Sequence, residues 1–352
     1  MTNRDVRVVE SVDEIHPGQW NNVVTQSELG TLFHRHEWLS LLEDALDATA
    51  RHAVVEKGGN PVALFPNIYW DIHVPGWAEL ARKLPVQELV SVAPGYGGPV
   101  VTGDEDACLD LLFDALSELR GTRTLLHRVR TNDPDYTRYG KTFAKHGYEP
   151  IGVNCHHRIS LARDWEDILA DMDRSRRRAI RNLEERDTDV RAEPLSESVL
   201  RETHADYVAN LERAGGETFD YEFFAALADY LGDRVRIVTA VVDGREVGRY
   251  LYLLDEEQSS VHYYFAAIGD ESYFEDHPSE LLHSETIRWA KEQGYRYYDF
   301  GGTGADFRDG VFRHKDGYGG EAVPTCQWQK GFSRLGWPAF KAARAVYRSR
   351  AY

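Results

Sequence analysis

The chain has few cysteines, few lysines and no long apolar run. Its three cysteines, Cys108, Cys155 and Cys326, are odd in number and widely spaced. Such a set builds neither a disulfide framework nor a zinc site, and small buried thiols are expected instead. His156 and His157 follow Cys155. Adjacent residues of a strand point to opposite faces, so the three do not converge on a metal. No stretch approaches the roughly 20 apolar residues of a membrane span. The opening MTNRDVRVVESVDE lacks the apolar centre of a secretory signal. No membrane span is expected, and the expected location is cytoplasmic.

Lysine is scarce, with 8 against 33 arginines, and the net charge is −17. An acidic, lysine-poor surface fits a high-salt, halophilic cytoplasm, where carboxylates hold hydration and resist association. Phosphate contacts weaken steeply as salt rises, so DNA is not an expected partner. Hydrophobic residues at 42% and aromatics at 12% are enough for two cores in 352 residues.

The order of elements repeats. The first half reads as a strand, two helices (13–29 and 37–46), a hairpin around Lys57-Gly58-Gly59-Asn60, a helix over 104–120 and a strand over 124–130. The second half reads as a strand over 157–161, a long helix over 165–185, further helices, and a hairpin around Asp243-Gly244. A strand over 260–268, a helix over 279–293 and a strand over 295–300 complete it. This α+β pattern divides near 147–154 into domains 1–152 and 153–352. The second domain is expected to hold the active cleft and to end in a helical tail.

Four segments carry candidate chemistry. Tyr297-Tyr298-Asp299-Phe300-Gly301-Gly302 is a strand ending in a double glycine, and a glycine-rich loop containing His314 and Lys315 follows it. Glycine lets a backbone approach a ligand closely. In the 165–185 helix, Arg174, Arg177, Arg178 and Arg181 share one arc, a solvated basic face, while Arg176 falls on the apolar side and needs a partner or an anion. In Tyr263-Tyr264-Phe265, strict alternation sets Tyr264 opposite its neighbours, so Tyr264 is the groove candidate. Ser279 is a candidate N-cap, with free N–H groups in the following turn at Glu280 and Leu281. Asp299 either reaches the cleft or fixes the turn by hydrogen bonding.

Taken together, these motifs resemble the FemAB family of acyltransferases. Its signature is a Tyr-Asp-x-Gly-Gly strand, then Gly-Leu-x-x-Phe-Lys-x-x-Phe-Gly. Here Tyr298-Asp299-Phe300-Gly301-Gly302 is followed by Gly310-Val311-Phe312-Arg313-His314-Lys315-Asp316-Gly317-Tyr318-Gly319. Phe33 to Trp38, the Tyr96-Gly97-Gly98-Pro99 turn and the start of the 279–293 helix match as well, so the resemblance spans most of the chain. It implies two tandem acyl-CoA N-acyltransferase (GNAT)-like domains, each a mixed sheet flanked by helices. It also implies an N-acyltransferase moving an acyl or aminoacyl group to a small or conjugated amine by direct attack, without a covalent enzyme intermediate.

The resemblance assigns residues too. Lys315 becomes the charge-stabilising lysine at the reacting carbonyl, with Asp299 beside it. Arg176, Arg181, Tyr264, Trp38, Tyr96, Gly301 and Gly302 become substrate contacts, and Ser279, Glu280 and Leu281 donor contacts. The chain departs from the family at Leu39-Ser40 after Trp38, and at His314 where phenylalanine is usual. No cofactor is expected to be bound permanently. The co-substrate stays open between acyl-CoA and aminoacyl-tRNA, which keeps tRNA as a possible partner. The alternatives are a tRNA-dependent aminoacyltransferase of the peptidoglycan-bridge type, and a catalytically silent module recognising a cell-envelope ligand.

Overall fold

The computed structural model describes residues 4–72, 86–120 and 123–342. The chain divides into two compact units, residues 1–152 with 325–352, and residues 153–324. The segment after Pro324, expected in the second domain, therefore folds with the first. The reason is pairing: Gln327 to Gly331 run antiparallel to Leu126–Arg130, and the Trp328 ring stacks on Phe143 at 4.7 Å. The expected helical tail falls mainly on residues 343–352, outside the described residues.

In the first unit, Arg4–Val9, His52–Lys57, Asn60–Phe65 and Val100–Val101 form an antiparallel sheet in that order. A second strand group joins Ile68–Asp71, Gln87–Ser91 and Thr124–Arg130, with the last two parallel. Buried Trp20, Trp38, Phe65, Phe113 and Phe143 fill this unit. The expected helix over 13–29 is shortened, because Pro17 starts the helix Pro17–Gln26 and proline cannot sit inside one.

In the second unit the strand order is Glu149–Ser160, Tyr297–Gly304, Ser260–Ala267, Arg245–Asp255, Val235–Val242, Thr188–Glu193. All neighbours are antiparallel except Ser260–Ala267 with Tyr297–Gly304. This is a mixed sheet flanked by helices, as expected.

One irregularity decides which side chains face which way. Leu251 pairs with Phe265 but Tyr252 pairs with Tyr263, so Tyr264 is skipped. The extra residue is a β-bulge, which shifts alternation by one. Tyr263 therefore shares a face with Tyr252, Tyr250 and Ala266, and the Pro278–Glu292 helix covers that face through His283, 4.9 Å from the Tyr263 ring. Phe265 points the other way and packs on Tyr207 and Phe224 of the helices Glu197–Ala214 and Tyr221–Leu231.

The expected 165–185 helix is two helices, Trp165–Asp171 and Arg174–Glu184. Met172 turns extended between them, and the Asp173 N–H donates to the Gly317 carbonyl at 2.9 Å. That long-range bond replaces the helical one. The expected loop around Lys315 is largely helical, Gly310–Asp316, because Asp309 caps it through Val311 and Phe312 N–H.

The Pro278–Glu292 helix holds the second unit together through Leu281, Leu282, Ile287 and Ala290. Ile287 is 0% exposed. Ile287→Ala should lower stability by about 2–5 kcal/mol, read as a shifted urea midpoint. A shift near zero would place the packing elsewhere.

Candidate functional site

A cleft of about 380 Å³ opens in the second unit where the bulged strand meets the start of the Pro278–Glu292 helix. Arg176, Asn210, Tyr250, Tyr263, His277, Ser279, Glu280 and His314 supply its polar lining, and Ala266, Ile268, Phe274 and Pro278 its apolar part. The bulge at Tyr264 puts Tyr250, Tyr263 and Ala266 on this wall. Without it, Tyr263 and Phe265 would share a face.

Arg176 is the centre of the polar lining. One terminal nitrogen donates to the Glu280 carboxylate and to the Tyr318 hydroxyl at 3.1 Å. The other donates to His314 Nδ1 at 3.0 Å and to the His314 carbonyl at 3.2 Å. Its guanidinium also lies 4.1 Å from the Tyr318 ring centroid, a cation–π contact. The expectation that Arg176 needs a partner is met by Glu280, at 16% and 13% side-chain exposure.

His314 follows from Arg176. A guanidinium has no lone pair to offer, so His314 Nδ1 must accept and the ring proton sits on Nε2. Burial, then the Arg176 and Lys315 charges, push its pKa down to about 4. At neutral pH it is an uncharged ring with one N–H donor. Across the cleft, the Tyr250 hydroxyl donates to Ser279 Oγ at 2.7 Å, and burial keeps Tyr250 protonated with a pKa of about 12. The Ser279 proton is then free to point elsewhere.

Behind this wall lies the Gly301–Gly302 turn. Gly301 has φ +74°, and an added Cβ would come within 3.3 Å of the Tyr263 carbonyl, so glycine is required twice over. Asp299 accepts from the Gly301 N–H at 2.7 Å and contacts His156 Nδ1. Burial raises its pKa, but the charges of His156 and His262 and these hydrogen bonds outweigh that and hold it well below the usual range. Lys315 donates to the Gly301 and Gly302 carbonyls at 3.0 and 2.9 Å. It is 7% exposed. Burial pushes its pKa down to about 8 while Asp299 pulls it back up. It stays an ammonium at neutral pH.

The expected residues thus separate. Arg176, Ser279 and Glu280 line the cleft. Lys315, Asp299, Gly301 and Gly302 form the turn behind it. Asp299 is buried and saturated by the turn, which is its fixing role and not a place in the cleft. Ser279 is not the helix cap, because left-handed His277 takes that place and Pro278 the first turn. The Leu281 side chain is 4% exposed and sits in the core.

Arg181 is exposed and Tyr264 half-buried, and neither lines the cleft. Tyr264 is the bulge residue, so strict alternation named the wrong tyrosine. Trp38 belongs to the first unit and is 0% exposed, with its indole N–H on the Pro94 carbonyl at 3.3 Å. It is part of that unit's core. Tyr96, also of the first unit, is half-buried against Phe33 and the Arg130 guanidinium.

Sequence reasoning missed Tyr250, Tyr263 and the cleft role of His314. The glycine-rich stretch was read as open to a ligand. Its glycines instead admit the protein's own backbone: an added Cβ at Gly319 would meet Asp171 at 2.6 Å, and at Gly320 would meet Arg158 at 3.2 Å.

Residues 170–315 match the family model described as an acetyltransferase (GNAT) domain. Every residue lining the cleft falls inside that span. That span thus resembles a GNAT acetyltransferase domain. The chain's fold is that of FemX, which it resembles with a TM-score of 0.71 at 15% identity, over 96% of this chain and 99% of FemX. It is also similar to L-PGS from Bacillus licheniformis (TM-score 0.53, 12% identity, 97% and 98% coverage). A conserved protein of unknown function from Bacteroides thetaiotaomicron VPI-5482 shares the fold too (TM-score 0.58, 12% identity, 93% and 100%). At these identities the likeness is one of fold. No curated protein matches the chain.

Two outcomes follow from this geometry. Arg176→Ala strands the Glu280 carboxylate and should cost about 2–3 kcal/mol, whereas exposed Arg181→Ala should stay within about 0.5 kcal/mol. Denaturant melts of both variants check this, and equal losses would contradict it. For Asp299, the folded pKa lies below the unfolded one. Its stabilisation is therefore complete above about pH 4 and is lost as pH falls toward the folded value. Asp299→Asn should destabilise clearly at pH 7, and the gap to wild type should narrow below about pH 4. A gap independent of pH would show that the carboxylate charge is not what holds the turn.

Proposed function

We propose that the second-unit cleft transfers an acyl or aminoacyl group from an activated ester or thioester to an amine. The observation that carries this is a cleft inside the GNAT-matching span whose lining includes His314 and Ser279, two uncharged side chains that can donate hydrogen bonds. The amine nitrogen attacks the acyl carbon, the bond to the leaving oxygen or sulfur breaks, and the amine proton leaves to solvent or to the leaving group. Negative charge builds on the carbonyl oxygen, and fixed donors of this kind stabilise it. No covalent enzyme intermediate is needed.

Lys315 acts in this reading through the turn. It clamps the Gly301 and Gly302 carbonyls, and Gly301 packs against the Tyr263 backbone at the cleft wall. Its positive charge also sets the field next to His314.

The test incubates the chain with panels of acyl-CoA and aminoacyl-tRNA donors and primary amines, reading N-acylated product by mass spectrometry. Any donor that yields product supports the reading, and none doing so across salt concentrations sinks it. With a working pair, Lys315→Ala should lower kcat by about 10²-fold, the usual scale for losing an electrostatic stabiliser. It should also lower stability by about 1–3 kcal/mol, since two buried carbonyls lose their donor. Lys315→Arg should restore little, because a planar guanidinium does not fit an ammonium's place. Unchanged kcat in the alanine variant would remove Lys315 from the reaction.

A further inference from the structure

The charges of the cleft are already spent on one another. Arg176 is the one permanent cation among its described lining residues, and His314 is held neutral beside it. Arg176 does not wait for a ligand: Glu280 has its carboxylate on one terminal nitrogen, and Tyr318 and His314 take the rest. Nearby guanidiniums are committed as well. Arg186 and Arg245 hold Asp276, and Arg213 donates to the Ile268 and Gly269 carbonyls.

The helix that opens onto the cleft is blunted in the same sense. A helix start usually offers several free N–H groups and a partial positive charge. Here the His277 N–H is bonded to the Phe274 carbonyl at 3.1 Å, and Pro278 has none. Only the Ser279 and Glu280 amides remain in that turn. The Glu280 carboxylate lies in the same turn and offsets the helix charge. An incoming phosphate would meet a neutralised arginine, a shortened set of amides and a fixed negative charge.

We propose that Glu280 is a specificity-determining residue that occupies the anion position of Arg176 and closes the cleft to diphosphate-bearing donors. The donor used must place a neutral or cationic group at the start of the Pro278–Glu292 helix. Specificity of this kind comes from a built-in repulsive element as much as from attraction. The proposal rests on reading the cleft as the donor side of acyl transfer, but its test needs no turnover.

The experiment is calorimetric titration of the full chain with coenzyme A and, separately, with inorganic pyrophosphate at low salt. Coenzyme A carries the diphosphate within an organic donor and pyrophosphate carries it alone. Wild type, Glu280→Gln and the double variant Arg176→Ala/Glu280→Gln are compared. Glutamine keeps an oxygen for Arg176 while removing the charge, and a thermal melt confirms that each variant is folded. Glu280→Ala serves if the glutamine variant is not. Removing the like charge should tighten binding of both probes by about 10-fold or more, and the double variant should lose most of that gain. Wild type binding as tightly as Glu280→Gln, no gain in either Glu280 variant, or a gain that persists without Arg176 would each overturn the proposal. A chain that shows this selectivity yet transfers no acyl group would sink the acyl-transfer reading alone.

Discussion

A guanidinium taken out of water must be paired, and the cleft is arranged around that requirement at Arg176. Its partners come from separate stretches of the chain: Glu280 from a helix start, His314 and Tyr318 from the segment after the Gly301–Gly302 turn. Because the guanidinium can only donate, it dictates the His314 tautomer. Because its charge is adjacent, it helps keep His314 neutral. The hydrogen-bonding character of the cleft is thus a consequence of one half-buried cation.

The second constraint is the backbone turn behind the cleft wall. A left-handed glycine has no side chain with which to anchor itself. Asp299 holds its N–H, and Lys315 holds the two carbonyls that follow. Two opposite charges are buried close together, Lys315 satisfied by backbone carbonyls and Asp299 by the Gly301 N–H and His156, which is the arrangement low dielectric demands. The same lysine that resemblance places at the chemistry is in this chain a structural clamp. In the proposed transfer it acts through the turn and through its field.

Composition and pattern were enough for the α+β class and most elements, because apolar periodicity and turn residues are local signals, while the mixed sheet came from the family resemblance. The second-unit hairpin at Asp243-Gly244 and the helix over 278–292 were legible in this way. Helix breaks were less so. Nothing local distinguishes Met172–Asp173 from helix, and the break exists because Asp173 bonds to Gly317, far along the chain. The end of the chain shows the same limit: its strand after Pro324 pairs with Leu126–Arg130, and sequence order placed it in the other domain.

The sequence by itself determined which residues were chemically unusual: an arginine on an apolar helix face, a double glycine after an aspartate, a histidine where the related motif has phenylalanine. These follow from residue type and spacing, which need no neighbours. Only the tertiary structure decided what each does. Glu280 claims Arg176 because a helix start and an arginine helix pack together. Tyr263 replaces Tyr264 on the cleft wall because one residue is skipped against Tyr252, and a slip of one inverts a strand's faces. Trp38 is core and Lys315 is buried because burial is a property of the whole packed unit, which no single segment encodes.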